Sequence, residues 1–402
     1  MKKPQLRFPE FQGDWERKKL KEVSTYFNGG SFENDVKEEG KYELITLKSV
    51  DMSGNLAHSK RYLDIKVPTL SKNTLIMILS EQSPGLLGMT ALIPTDNKYV
   101  LNQRVAEIRP NSNVESYFLS MAINRNQNYF SKHGAGTKVQ NISKPNVENY
   151  SFLCPSLPEQ TKIASFLTAV DEKIQALKKK QSLLDAYKKG VMQKLFSQEL
   201  RFKDENGNDY PDWEEKKLGE VLFEHLDKNK DNKTSEVFSV AKHKGVINQI
   251  EHLGRSFSAK EITHYKLIYP NDIVYTKSPT SEFPFGIIKQ NMTGRIGVVS
   301  PLYGVFKPQT SALGFILHNY FNSWINVYNY LSPLVQKGAK NTMNISNSDF
   351  LNGAYIYLPI NELEQIKIAN FLTSIDEKIN HCQAQITNAE TWKKGLLQKM
   401  FV

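Results

Sequence analysis

Apolar residues recur in two rhythms. Val170, Ile174, Leu177, Gln181, Leu184, Lys188, Val191 and Leu195 step by alternating fours and threes, the spacing that keeps one stripe of a helix turned toward a partner helix. The same register returns as Ile375, Ile379, Cys382, Ile386, Ala389, Lys393, Leu396 and Met400. Two long helices are therefore predicted, each the obvious partner of the other. Elsewhere the beat is shorter. YELITLKSV (42–50), NTLIMIL (73–79), YVLNQRVAEIRP (99–110), HYKLIYPNDIVYTK (264–277) and GIIKQNMTGRIGVVSPLYGVFKP (286–308) are rich in branched and aromatic residues between turn formers, and read as strands. VESYFLSMAINRNQNYFSKHG (114–134) and ALGFILHNYFNSWINVYNYL (312–331) read as helices.

The helices are one text written twice. Glu159 to Phe196 and Glu364 to Phe401 align without a gap at an offset of 205 (364 − 159), sharing E-Q-x-K-I-A-x-F-L-T-x-x-D-E-K-I. Pro155, Pro158 and Pro359 stand just before them, where a missing amide hydrogen is harmless. Gly190 and Gly395 occupy equivalent late positions; close helix approach, a kink or a helix end would each explain a residue that costs a helix about 1 kcal/mol against alanine. A second echo precedes the bodies. LRFPEFQGDWERKKLKEV (6–23) returns as LRFKDENGNDYPDWEEKKLGEV (200–221), so Trp15 and Trp213 mark the same place 198 residues apart (213 − 15). The chain is thus a tandem duplication of body plus helix, with units at 1–154, 155–197, 198–358 and 359–402. Internal copies tend to pack about a pseudo-two-fold axis. The expected class is α+β: two mixed α/β domains joined by two long antiparallel coiled-coil helices. A helix of about 40 residues spans roughly 60 Å, enough to hold two modules well apart.

A short Asn-Ile-Ser recurs near the end of each body, at Asn141 to Ser143 and Asn344 to Ser346. Two explanations stay open: a turn capping the next helix, or a loop whose amides and hydroxyls meet phosphate.

Composition narrows the partners. The formal charge of +10 and pI of about 9.2 favour an anionic one. There is no run of eighteen apolar residues, and the N-terminus lacks a signal-peptide pattern, so a cytoplasmic protein without membrane association is expected. Cys154 and Cys382 look like small buried hydrophobes rather than a disulfide. No metal-binding spacing occurs. There is no phosphate-binding loop, dinucleotide fingerprint, nucleophile elbow, or Asn/Asp-Pro-Pro-aromatic motif for a flipped adenine. A self-contained methyltransferase or nuclease is disfavoured; a coiled-coil scaffold with protein-binding bodies remains the main alternative.

Two divergent bodies, each followed by a helix opening on the repeated E-Q-x-K-I-A signature, resemble the specificity (S) subunit of type I restriction-modification systems over the whole chain. The resemblance implies that the bodies are target recognition domains and the helices spacers. It implies double-stranded DNA as ligand, each domain taking half of an interrupted asymmetric site. It also implies two methyltransferase subunits carrying S-adenosylmethionine and motor-nuclease subunits using ATP and Mg, with no cofactor, metal or catalysis in this chain. Arginine or lysine suits guanine, and asparagine or glutamine adenine. On that chemistry the candidate DNA-binding residues are Gln103, Arg104, Lys132, Lys138 and Asn141 in the first body. In the second they are Lys277, Ser278, Arg295, Lys337, Lys340, Asn341 and Asn344. The run Lys178, Lys179, Lys180 reads as a solvated helix face.

Overall fold

A computed structural model describes residues 3–242, 244–337 and 343–402, apart from the side chains of 336, 337, 343 and 344. The chain forms two compact units, Met1–Lys179 with Gln383–Val402, and Lys180–Cys382. Each body is thus completed by the two ends of different long helices.

The first unit is built on an antiparallel sheet in the order Ser24–Asn28, Val105–Pro110, Leu75–Ile78, Thr90–Leu92. All four residues of Leu75–Ile78 are buried, because successive side chains leave opposite faces of a strand and both faces are covered. Leu75 and Met77 join a cluster with Phe118, Phe130 and Tyr150, while Ile76 and Ile78 join Val50, Ala91 and Val105 on the other side. Glu115 caps the helix Ser116–Asn124 by accepting the Phe118 N–H at 2.6 Å. The ribbon Glu16–Lys19 with Ser151–Cys154 joins the opening of the body to its close.

The second unit repeats this plan. Its sheet runs Leu222–Glu224, Gly304–Pro308, Ile273–Tyr275, Ile288–Gln290, and its ribbon pairs Glu214–Lys217 with Tyr355–Leu358. Register matches pair by pair: Leu75 faces Ile108 and Leu92, and 198 residues later Ile273 faces Phe306 and Gln290. The offset marked by the tryptophans therefore returns at each strand of this sheet. Length differences also enter after the sheet. The caps Glu115 and Thr310 are 195 apart, Ser143 and Ser346 203, and Glu159 and Glu364 205.

Three sequence expectations are corrected in detail. Residues 114–134 and 312–331 each form two helices, Ser116–Asn124 with Gln127–His133 and Ser311–Tyr320 with Trp324–Leu331; in the second unit Ser323 caps the restart by accepting the Asn326 N–H. Residues 99–110 break into Tyr99–Leu101 and Val105–Pro110, because Arg104 adopts a left-handed φ of 67°, which a continuous strand excludes. Finally, Gly190 and Gly395 lie inside the helices Leu157–Phe196 and Glu362–Met400, and a Cβ at either would meet nothing within 4 Å. Neither a helix end nor close approach explains them.

Of the predicted seam, Val170, Ile174, Leu177, Val191, Leu195, Ile375, Cys382, Ile386, Leu396 and Met400 are buried, and Leu184 and Ile379 half-buried. The seam lysines, Lys188 and Lys393, are ion-paired. In the first unit Lys393 meets Asp171 at 2.5 Å, with Lys178 on Glu390 at 2.7 Å. In the second, Lys188 meets Asp376 at 2.6 Å. Asp171 and Asp376, like Lys188 and Lys393, are counterparts at the 205 offset, so one bond is made twice.

The shared Glu-Gln has a specific task. Glu159 accepts from Arg7 at 2.7 and 2.8 Å and from the Trp15 indole at 3.3 Å; Glu364 accepts from Arg201 at 3.3 and 3.4 Å and from Trp213 at 3.2 Å. Gln160 accepts the Glu115 N–H and donates to Pro155 O, and Gln365 accepts from Thr310 and donates to Pro359 O. Each pair bolts a body to the start of its helix. The far helix ends close the tryptophan pockets, Phe401 against Trp15 and Phe196 against Trp213.

Candidate nucleic-acid interface

In the first unit the left-handed turn at Arg104 turns Gln103 and Arg104 out into solvent at the edge of an open cleft of about 510 Å³. Lys48, Ser59, Arg61, Asn102 and Glu33 share the lining. Glu33 accepts from the Asn102 amide at 2.9 Å and from Arg61 at 3.0 Å, and these bonds, Asn102 first, hold its carboxyl below the usual range. With Glu33 neutralised by Arg61, Lys48 and Arg104 leave the cleft cationic.

The second group lies one backbone away. Leu79 N–H donates to Arg104 O, and Leu79 O accepts from Ile142 N–H, each at 3.0 Å. This places the Arg104 turn beside the short ribbon of Ser80–Glu81 with Gln140–Asn141. Asn141 is exposed; its side-chain carbonyl takes the Ser80 hydroxyl and its amide donates to Val139 O at 3.3 Å. Lys132, on the helix Gln127–His133, and Lys138, in the loop before the ribbon, are both exposed.

Asn-Ile-Ser itself works as the turn explanation predicts. Ser143 and Ser346 cap the helices Lys144–Glu148 and Asn347–Asn352, accepting from Asn146 and Asp349 N–H, while Ile142 and Ile345 fill the cores.

The second unit disposes its candidates differently. Lys277, half-buried with φ of 58°, and exposed Ser278 follow the central strand; burial, then the like charge of Lys266, pulls the Lys277 ammonium below its ordinary range. Ser278 is the counterpart of Ser80 at the 198 offset. Arg295 is held by Glu251 at 2.8 Å through two nitrogens and by Glu236 at 3.1 Å, so engaging a base would break a bidentate pair. Lys337 and Asn344 lie in the ribbon Gln336–Lys337 with Met343–Asn344; Lys340 and Asn341 are outside the described residues. At the turn equivalent to Gln103 and Arg104 stand Pro301 and Leu302, the latter 77% exposed. The frames match and this exposed turn does not.

Sequence reasoning missed Asn102, buried at 4%, whose carbonyl oxygen has no hydrogen-bond partner among the described residues. Only its place beside Gln103 could have flagged it. Among the described residues no His, Cys, Asp and Glu cluster could hold a metal, and no helix is long and apolar enough to cross a membrane.

Residues 12–185 match the type I restriction modification DNA specificity domain. The chain is 23% identical over 420 aligned residues to the putative type I restriction enzyme MjaX specificity subunit of Methanocaldococcus jannaschii, covering 96% of this chain and 93% of the relative. It is 24% identical to the MjaVIII specificity subunit of the same organism, over 54% of this chain and half of the relative's length. In fold it is similar to the crystal structure of the type I S subunit from M. genitalium, with a TM-score of 0.62 at 14% identity, covering 100% and 99% of the two chains. The resemblance to type I specificity subunits thus extends beyond the matched domain into the second body and second helix.

Proposed function

We propose that this chain is the non-catalytic DNA-binding specificity subunit of a type I restriction-modification complex. Each body reads one half of an interrupted, asymmetric site, and the two long helices form the antiparallel coiled-coil ruler between them. The observation that carries this reading is the contrast within the duplication. Sheet register is identical at the 198 offset, yet the polar turn Gln103–Arg104 is replaced by Pro301–Leu302, as expected of two readers on one frame with different targets. The antiparallel arrangement is supported by the ion pairs. In the first unit, the partner's residue number falls from 393 to 390 as the first helix advances from Asp171 to Lys178. Catalysis belongs to partners: two methyltransferase subunits with S-adenosylmethionine, modifying adenine, and motor-nuclease subunits driven by ATP and Mg.

The test is a map of methylated adenines in a naive host carrying this chain with its cognate methyltransferase, and again with the chain deleted. An interrupted two-part motif that vanishes on deletion is the expected result. No change, with the complex assembled and the methyltransferase competent, would instead favour a scaffold.

A further inference from the structure

The second unit carries a polar pocket that its sheet architecture does not require. Lys289 stands mid-strand opposite Val274 and is 3% exposed. The same place in the first unit holds Ala91 opposite Ile76, both wholly buried. An ammonium in a core position is costly unless an anion accompanies it. Its hydrogen-bond partner is the Asn322 side-chain carbonyl, a neutral acceptor.

Lys289 lines a cavity of about 210 Å³ together with Lys188, Lys244, His318, Asn322 and Asp376. At ~30 Å³ per liquid water this is ample for a tetrahedral oxyanion. Asp376 is committed to Lys188, through both oxygens at 2.6 and 2.8 Å. Lys244 is exposed and sits 3.3 Å from His252 Nδ1. His318 Nδ1 accepts the Gln290 N–H at 3.1 Å, which leaves its proton on Nε2 as a further donor. Three ammonium groups therefore face one carboxylate. Burial, then the like charge of Lys188, pulls Lys289 down to about 8, the response of a cation that lacks its counter-ion.

We propose that this pocket binds a phosphate group, gripped by Lys289 and Lys244 with Lys188 and the His318 Nε2–H at its margin. The group comes either from a free phosphate compound or from a DNA phosphodiester; only the second source rests on the DNA-binding reading.

Inorganic phosphate titrated calorimetrically into the full chain at pH 7, against chloride, tests the site without DNA. Saturable binding is expected, weakened about tenfold or more by Lys289→Met and separately by Lys244→Gln, the loss of one charge-assisted hydrogen bond each. Lys260→Gln, outside the pocket, should leave binding unchanged. Methionine suits the buried strand position and Lys244 is exposed, so folded variants are expected and circular dichroism checks them. Absence of saturable binding to the unaltered chain, or equal binding by both pocket variants, would overturn the proposal. A short duplex then separates the sources. If Lys289→Met weakens DNA binding and phosphate competes, the ligand is a backbone phosphate; if phosphate binding falls and duplex affinity holds, it is a free phosphate compound. A chain that takes phosphate but no duplex would count against the DNA reading alone.

Discussion

Glu159 tests whether the repeated Glu-Gln holds each body to its helix. Its carboxylate is 1% exposed, bonded to Arg7 at 2.7 and 2.8 Å and to Trp15 at 3.3 Å. Glu159→Gln keeps the shape and one acceptor but removes the charge facing the Arg7 guanidinium, 14% exposed, whose other acceptors are the Gly13 and Gln12 carbonyls. Breaking a buried pair from one side costs about 3–5 kcal/mol, and the retained acceptor argues for the low end. At 2–4 °C per kcal/mol for a unit of this size, the melting temperature should drop by about 6–12 °C. Glu364→Gln should cost less, about 1–2 kcal/mol, since Arg201 sits farther away at 3.3–3.4 Å and keeps Asp212 at 3.0 Å. Calorimetry and urea unfolding of both variants measure the difference. Adding Arg7→Met to Glu159→Gln should recover part of the loss, because it removes the stranded cation. A shift below about 2 °C for Glu159→Gln, or a larger one for Glu364→Gln, would refute the bolt.

Three further outcomes follow from the same geometry. Leu177→Asp puts a carboxylate at a seam position 8% exposed, which costs several kcal/mol. It should uncouple the two half-sites or block assembly, more severely than Ile379→Asp at a half-buried position; adenine methylation maps and gel filtration decide, and normal behaviour of both variants would sink the ruler. Asp171→Lys or Lys393→Asp alone should cost about 1.5–3 kcal/mol by urea unfolding, and the double swap should recover most but not all, because Asp171 also takes the Tyr117 hydroxyl. His318 is held down to about 3 by burial and then by Lys289 and Lys188. The unfolded chain takes up this proton below about 6.5 and the folded chain does not until about 3, so this group's stabilisation is complete above the window and is lost as pH falls through it, by up to about 1.4 kcal/mol per pH unit. His318→Asn, which keeps an acceptor for the Gln290 N–H, should flatten that slope between pH 7 and 4; an unchanged slope would contradict it.

The long helices were legible because their seams repeat over several heptads and twice in the chain; the structure buries or half-buries every apolar residue assigned to them. The register of the bodies was legible only at its edges. Leu75 and Ile273, or Ile108 and Phe306, share hydrophobicity and little else, so the 198 offset could be seen at the tryptophans but not followed through the sheet. Helix breaks at Arg125–Asn126 and Phe321–Ser323 were hidden because apolar residues resume in helical spacing on both sides. The candidate interface was the least legible. Gln103, Arg104 and Asn141 could be chosen by residue type, but their approach to one another runs through the backbone of Leu79, and Arg295 lost its apparent freedom to acids 44 and 59 residues away in sequence. Side-chain chemistry says what a residue can bind; long-range pairing decides whether it is available.

The same distinction explains which parts of the duplication still look alike. Arg7 and Trp15 must meet Glu159, and the Glu115 amide must meet Gln160, as Arg201 and Trp213 must meet Glu364 and Thr310 must meet Gln365. A change in one partner strands a buried charge or indole N–H, so tolerated substitutions are few. Most sheet positions, Lys289 and Gln290 apart, ask only for apolar volume on the correct face, a condition that many residues meet. Exposed turns ask for less still, so Gln103–Arg104 and Pro301–Leu302 can differ completely while the strands beside them keep register. On the function proposed above, an interrupted asymmetric DNA target would make the same division of demands: half-site readers free to diverge, and a spacer held to one geometry. The bolts at the helix starts and the paired Lys188–Asp376 and Lys393–Asp171 bonds lie on the constrained side of that division.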